Sequence, residues 1–425
     1  MNFDTAFTME TSRIKFGAGV TREVGYDMKG LGARRVMVVT DPRLNESEPV
    51  ALSLQALRKE GIDAVLFDRV QIEPTDVSLQ EAIRFASEEA FDGYVAVGGG
   101  SSIDTAKAAN LYATYPAEFL TYVNAPIGQG AQVPGPVKPF IAIPTTAGTG
   151  SETTGVIVFD FLEQRAKTGI SHPALRPLLG IVDPRNTRTL PPLVAAFSGL
   201  DVMTHALESL TALPFNRRPA PEHPKARPPY QGANPVSHVW ASRAIEMVAR
   251  NITRVIEEPG DDEARGEMLL AATYAGIGFG NAGVHLPHAM SYPIAGMVRD
   301  FVPEGYPPDH PIVPHGMAVV LNAPAVFRFT APTNPELHLY AAGLMGIDVS
   351  GAVRDDAGTL LAGAIVGVMR RVGVPNGLKA IGFEPGDIDA LVAGALLQKR
   401  LIGLSPRQVS AEDFKQLFMD SFTCW

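Results

Sequence analysis

Along the first half of the chain, short apolar runs alternate with amphipathic stretches. Arg35-Val36-Met37-Val38-Val39-Thr40-Asp41 is a β-branched, apolar run and predicts a strand buried on both faces. Residues 49–59 show helical periodicity, and residues 64–67 predict a second strand. Residues 77–90 predict a helix with Leu79, Ile83 and Phe85 apolar; residues 94–97 and 140–143 predict the third and fourth strands. Residues 156–159 and 179–182 also look like strands, with Lys167 in a solvated loop between them. Buried strands separated by helices predict a parallel sheet with right-handed crossovers. Such sheets bind ligands at the carboxyl ends of their strands.

At Pro191-Pro192 the pattern changes to helical periodicity, which predicts an α/β domain over 1–190 and an all-helical domain over 191–425. A helix opens with Ser198 as its N-cap, and further helices are predicted over 236–257, 262–280, 334–345, 358–372, 387–398 and from Ala411, capped by Ser410. Between them lies segment 213–235, whose seven prolines (214, 219, 221, 224, 228, 229 and 235) forbid regular structure. It carries Arg217, Arg218, Lys225 and Arg227. Two readings stand: a cover whose arginine forks clamp a carboxylate substrate, or a solvated surface loop.

Composition narrows the chemistry. The chain has 425 residues, 46% of them hydrophobic and 19% charged, a globular balance with room for two or three domains. Its formal charge of −9, with no basic block, argues against nucleic acid as a partner. The single cysteine, Cys424, excludes an internal disulfide and a cysteine-based metal knuckle, so any metal site must use histidine and carboxylate. No apolar run approaches the roughly 18 residues of a membrane span. Residues 1–17 lack a basic start followed by an apolar run, so no secretory signal is read there and a cytoplasmic location is expected.

Candidate chemistry collects at strand ends and around histidines. The third strand runs into Gly98-Gly99-Gly100-Ser101-Ser102-Ile103-Asp104 and then a helix. Glycines let the backbone approach a phosphate, and a helix start offers free N–H groups. The other reading is a tight turn capped by Ser101 or Ser102, with Asp104 closing a capping box; the two are compatible. The spacing is not the usual dinucleotide fingerprint, and the acidic residue, Asp41, precedes the glycines instead of following them. The fourth strand runs into Pro144-Thr145-Thr146-Ala147-Gly148-Thr149-Gly150, either a second polar wall or an ordinary turn. In the second half, Asp201 and His205 are four apart, so a helix puts them on one face. Of nine histidines, His285 and His288 lie in one Gly/Pro-bounded stretch and His315 in Pro314-His315-Gly316. Asp201 with histidines from separate segments suits a divalent metal, Fe²⁺ or Zn²⁺.

Together these stretches resemble the iron-containing (group III) alcohol dehydrogenase family over nearly the whole chain. The resemblance is closest to the hydroxyacid–oxoacid transhydrogenase branch, to which His285-x-x-His288 and residues 229–235 are most similar. It implies an N-terminal NAD-binding domain and a C-terminal helical metal- and substrate-binding domain, an architecture shared with dehydroquinate synthase. It also implies that NAD meets Asp41, Gly98, Gly99, Gly100, Ser101, Asp104, Thr145, Thr146, Thr149 and Lys167, and that the metal ligands are Asp201, His205, His288 and His315. Many family members have a histidine where this chain has Tyr292, and His285 is then the candidate substitute in the proton path. The implied activity is hydride transfer between an alcohol or hydroxyacid and NAD or an oxoacid; in the branch, 4-hydroxybutyrate is oxidised and 2-oxoglutarate reduced. A homodimer is the family expectation.

Overall fold

The computed structural model describes residues 2–164, 166–306 and 311–425. They fall into two compact units: Thr11–Leu190, and residues up to Glu10 together with Pro191–Trp425.

In the α/β unit the described residues form a six-stranded sheet of β1 (Arg13–Phe16), β2 (Arg35–Val39), β3 (Asp63–Phe67), β4 (Gly93–Gly98), β5 (Phe140–Pro144) and β8 (Leu179–Val182). Its order is β1-β8-β5-β4-β2-β3 and every pairing is parallel. The helices are α1 (Val24–Gly30), α2 (Glu48–Lys59), α3 (Asp76–Glu89) and α4 (Gly100–Thr114). Alternate residues of one strand feed two separate cores. Val36, Val38, Val95, Val97, Ile141 and Ile143 pack with Val24 and Met28 of α1 and Val50 and Leu57 of α2. Met37, Val39, Tyr94, Ala96, Phe140 and Ala142 pack with Ala82 and Ala86 of α3 and Ile103 and Ala106 of α4. Burial on both faces is why these strands read as unbroken apolar runs.

Strand order reverses between β2 and β4: the chain leaves β2 for β3 on one side, and leaves β4 for β5 on the other. Ligands of open parallel sheets bind at such a switch point. Val39 pairs with Ala96 in register, so Asp41 and the Gly98–Gly100 loop leave neighbouring strand ends.

Two features of this unit escaped the sequence pattern. Residues 13–16 form the edge strand β1, although only four residues long. Lys167 lies on a strand instead of in a loop: β6 (Val156–Phe161) and β7 (Ala166–Ser171) make an antiparallel pair, with Asp160 opposite Lys167.

The helical unit is built around α5 (Pro192–Thr211), buried on nearly its whole circumference from Ala195 onward. Its N-cap is Pro191, so Ser198 is an interior residue and not the cap expected. Pro192 at the first helical position, with φ pre-set, starts the helix about two turns earlier. Against α5 pack α6 (Pro235–Asn251) and α8 (Asp262–Ala282). The helix expected over 236–257 is broken at Ile252–Thr253 into α6 and the single turn α7 (Arg254–Glu257). Then follow α9 (Leu286–Gly296), α10 (His315–Val320), α11 (Ala323–Thr330), α12 (Pro335–Leu344), α13 (Ala357–Arg371), α14 (Ile388–Leu396), α15 (Lys399–Ile402) and α16 (Ala411–Asp420).

Residues 2–10 were expected with the sheet domain but pack in the helical unit. Asp4 accepts hydrogen bonds from Arg218 at 2.8 Å and from Arg227 at 2.9 and 3.0 Å. The Asp4 N–H donates to the Arg218 carbonyl, and Gln231 accepts from the Thr8 N–H. Much of the Pro-rich segment is exposed, Arg217 and Lys225 included, as the surface-loop reading expects, but Arg218 and Arg227 are not free to clamp a substrate. Apart from two short 3₁₀ turns (Phe215–Arg217 and Pro224–Ala226) and isolated bridges, its backbone is irregular, and two of its arginines hold a carboxylate of the chain itself.

Candidate metal centre and nucleotide loop

Helix α5 carries Asp201 and His205 one turn apart, both buried. α9 brings His288 on its first turn, and α10 begins at His315. The approach of α10 depends on Gly316. A Cβ there would meet the Phe197 carbonyl oxygen at 2.0 Å and the Asp201 Cβ at 2.9 Å, so only glycine lets α10 sit this close to α5.

The four side chains converge. Each offers a nitrogen or carboxylate oxygen, and these atoms lie within 4.8 Å of one another. His288 Nε2 and His315 Nε2 are 3.6 and 3.8 Å from Asp201 Oδ1, and His205 Nδ1 is 3.7 Å from Asp201 Oδ2. These separations are too long for hydrogen bonds but close to the ~3.4 Å edge of a tetrahedron whose bonds are about 2.1 Å. Asp201 Oδ1, His205 Nδ1 and His288 Nε2 are buried without a hydrogen-bond partner among the described residues. Buried lone pairs left so cost free energy unless something occupies the space between them. The donor set, one carboxylate and three imidazoles, fits a divalent transition metal. His205 is held by stacking on Phe279, centroids 3.9 Å apart, and His315 is the partly exposed member of the four.

Glu208 completes the arrangement. It is fully buried; its Oε1 accepts from His288 Nδ1 at 2.6 Å and its Oε2 from the His285 N–H at 2.5 Å. Burial opposes charge throughout the cluster, yet specific neighbours overcome it in three places. The histidines hold Asp201 well below the usual carboxylate range. His288 and His285 likewise lower Glu208. Glu208 and Asp201 carry His288 up to about 9. His205 and His285, for which burial wins, fall to about 3 and about 4.

Sequence reasoning missed Glu208, although it lies seven residues after Asp201, two turns along the same helical face. His285 is the residue expected in the proton path. His285 precedes the first residue of α9, its ring is fully buried, and its Nε2 lies 3.2 Å from Thr211 Oγ1. Tyr292, one turn beyond His288, is buried with its ring 6.3 Å from that of His315.

In the α/β unit the structure assembles the glycine loop with the threonine segment. The Thr145 N–H donates to the Gly98 carbonyl. A Cβ on Gly99 would meet Thr146 at 3.2 Å, and one on Gly100 would meet Thr149 at 2.6 Å. The N-cap of α4 is Gly99, with no side-chain cap. Ser101 instead accepts from the Glu73 N–H, and Ser102 Oγ is buried without a partner among the described residues. An uncapped helix start lined by glycine fits a pyrophosphate. Asp41 accepts from the Arg43 N–H, and burial raises its carboxyl.

Asp104 and Lys167 depart from expectation. Asp104 faces the interior, 3.2 Å from Lys107 Nζ, and accepts from the Val158 N–H. Lys167 is buried between Glu73, at 2.6 Å, and Asp160, at 3.1 Å, and these carboxylates raise it despite burial. Both face opposite charges within the unit, which is why they sit inside.

Comparison with known proteins decides the family. The family described as "Iron-containing alcohol dehydrogenase" matches residues 11–184, and "Fe-containing alcohol dehydrogenase family, C-terminal" matches residues 230–422. The chain belongs to the iron-containing alcohol dehydrogenase family. As a member of that family it is an oxidoreductase with the α/β-plus-helical architecture. It is 52% identical over 417 residues, 98% of this chain and 90% of the relative, to "Hydroxyacid-oxoacid transhydrogenase, mitochondrial" of Mus musculus. The probable hydroxyacid-oxoacid transhydrogenase of Dictyostelium discoideum is also 52% identical, over 100% of this chain and 80% of the relative. Among solved structures, a 1,3-propanediol oxidoreductase superposes with TM-score 0.85 at 28% identity, covering 98% of this chain and all of that one. An alcohol dehydrogenase from Oenococcus oeni gives TM-score 0.86 at 26% identity with the same coverage.

These names correct one expectation about this family member. The curated relatives are mitochondrial, which overturns the cytoplasmic reading. That reading rested on the lack of a secretory pattern, and an organelle address uses a different, amphipathic and Arg-rich code. Among the described residues no helix is long and apolar enough to cross a membrane.

Proposed function

We propose that this chain is a metal-dependent hydroxyacid–oxoacid transhydrogenase. It would oxidise 4-hydroxybutyrate to succinate semialdehyde and reduce 2-oxoglutarate to 2-hydroxyglutarate, with NAD as the hydride carrier. The observation that carries this reading is the 52% identity, over 98% of the chain, to a relative named for that activity. The convergence of Asp201, His205, His288 and His315 supports it independently, with one atom each of Asp201, His205 and His288 buried without a hydrogen-bond partner among the described residues.

In this reading those four side chains hold a divalent cation, Fe²⁺ in preference to Zn²⁺. Bound there, the cation supplies Lewis acidity toward a substrate oxygen, and NAD supplies the hydride acceptor. The hydroxyacid gives up a hydride from carbon and a proton from oxygen; the oxoacid takes up both. Asp201 contributes the one negative charge of the donor set, and burial of Asp201, His205 and His288 leaves His315 as the side open to solvent. Tyr292 is the side chain we assign to the substrate side of His315. In the α/β unit Gly98, Gly99, Gly100 and Ser101 would take the pyrophosphate, with Thr145, Thr146 and Thr149 beside it. Asp41 would accept from the ribose 2′-OH and repel a 2′-phosphate, favouring NAD over NADP. A homodimer is the assembly we propose, tested by light scattering.

The decisive assay is turnover without added nucleotide. Purified protein loaded with Fe²⁺ is mixed with 4-hydroxybutyrate and 2-oxoglutarate. Succinate semialdehyde formed with no added NAD is the expected result and means that bound cofactor shuttles hydride between two substrates. Product only when NAD is supplied, with NADH accumulating, overturns the transhydrogenase reading. It would favour an ordinary NAD-dependent alcohol dehydrogenase, the activity to which the 1,3-propanediol oxidoreductase likeness points.

A further inference from the structure

We propose that Glu208 is a positioning residue of the metal centre, fixing both the tautomer of His288 and the start of the helix that carries it. The inference rests on the metal reading of Asp201, His205, His288 and His315.

Glu208 has no solvent exposure, and a carboxylate in such a place must be paired. Its two oxygens divide the work. Oε1 lies 2.6 Å from His288 Nδ1, and Oε2 accepts the His285 N–H at 2.5 Å. An ionised carboxylate only accepts, so Nδ1 keeps its proton and Nε2 is the nitrogen that can give up its own and present a lone pair to a metal. That nitrogen faces Asp201 Oδ1 at 3.6 Å and has no hydrogen-bond partner among the described residues. A carboxylate–histidine pair built only for stability would leave neither ring nitrogen orphaned; here one nitrogen is anchored and the other is presented.

The second oxygen acts on backbone. His285 immediately precedes Leu286, the first residue of α9, and its N–H is one of the donors that a helix start leaves unsatisfied. Glu208 thus ties the entry of α9 to α5, the helix that carries Asp201 and His205. One carboxylate sets the ring orientation of the third ligand and the backbone from which it projects. Partners of this kind, one shell out from the metal, orient ligands and tune affinity.

The test substitutes Glu208→Gln, which keeps the size but removes the charge and leaves one acceptor oxygen for two N–H groups. Zn²⁺ affinity of purified apoprotein, measured by chelator competition, is expected to fall 10- to 100-fold, as is usual for such partners. The absorption bands of the Co²⁺-loaded variant are expected to shift, and Glu208→Asp to recover part of the affinity. An affinity within about twofold of wild type overturns the proposal. So does a variant whose apo form is less stable while its folded fraction binds zinc normally, since that is a purely structural role. If Glu208→Gln does not fold, ¹⁵N-histidine NMR of the zinc-loaded wild type decides. Metal on His288 Nε2 with a hydrogen-bonded proton on Nδ1 supports the proposal, and metal on Nδ1 overturns it. Failure of the wild type itself to bind zinc would instead overturn the metal reading.

Discussion

Two buried polar clusters in this chain look alike in sequence and are built on opposite principles. On α4, Asp104 and Lys107 are three residues apart; on α5, Asp201 and His205 are four apart. In the α4 cluster every group faces its complement. Lys107 Nζ meets Asp104 at 3.2 Å, the Val156 carbonyl at 2.8 Å and Thr154 Oγ1 at 3.5 Å, and the second Asp104 oxygen accepts from the Val158 N–H. The α5 cluster gathers lone-pair donors that face one another, and three of its atoms lack a partner among the described residues. Burial disfavours charge in both and wins in the first, raising Asp104 and lowering Lys107, but there hydrogen bonds close the network, and in the second three atoms stay open. A helical-spaced acid pair is therefore closed when its surroundings complement it, and open to a ligand when they repeat it.

The comparison is broken most forcefully from the structural side. Asp104→Ala strands Lys107 in the interior and is expected to cost about 3–5 kcal/mol in urea unfolding while leaving metal content intact. Metal loss from the folded variant would mean that the two clusters are not independent. Next, His288→Ala is expected to stay soluble but bind metal at least ~100-fold more weakly, since partners one shell further out are already worth that much. Elemental analysis after dialysis measures it, and full occupancy would remove His288 from the ligand set. Gly100→Ala puts a Cβ 2.6 Å from Thr149. NAD affinity by calorimetry is expected to fall about tenfold, roughly 1.4 kcal/mol, with metal content unchanged. The smallest effect sharpens the contrast with a charge cluster outside both. The hydrogen bond from Arg227 holds the Asp4 carboxyl down, from 3.8 to about 2. Because the folded-state value is depressed, its stabilisation is present above about pH 4 and is lost as pH falls toward 2. Asp4→Asn is expected to cost about 1 kcal/mol at neutral pH, with the wild-type and variant stability curves converging in that acid window.

How much was legible follows from the range of each interaction. β2, β4 and β5 announced themselves because burial on both faces demands continuous apolar runs. β1 did not, since four residues at a sheet edge, partly exposed, carry no such pattern. Lys167 was misread because a lysine between two strands defaults to a loop, and its burial needs Glu73, 94 residues away, as well as Asp160 on the paired strand. Arg218 and Arg227 were read as free to meet a substrate or solvent because their carboxylate, Asp4, lies more than 200 residues upstream. Glu208 stood in plain view on α5, but its partners arrive from about 80 residues away.

By itself the sequence determined the class of this protein: the doubly covered parallel strands, the helical second half, the types and spacing of the metal-ligand candidates, and the glycine loop at a strand end. Those follow from local periodicity and from residue chemistry, which neighbours along the chain are enough to set. Only the tertiary structure decided which buried polar groups were completed by opposites and which were left open. It decided that Gly316 lets α10 touch α5, that His285 turns toward Thr211, and that one glutamate anchors His288. Satisfaction of a buried lone pair depends on what packs against it, and what packs against it comes from distant parts of the chain.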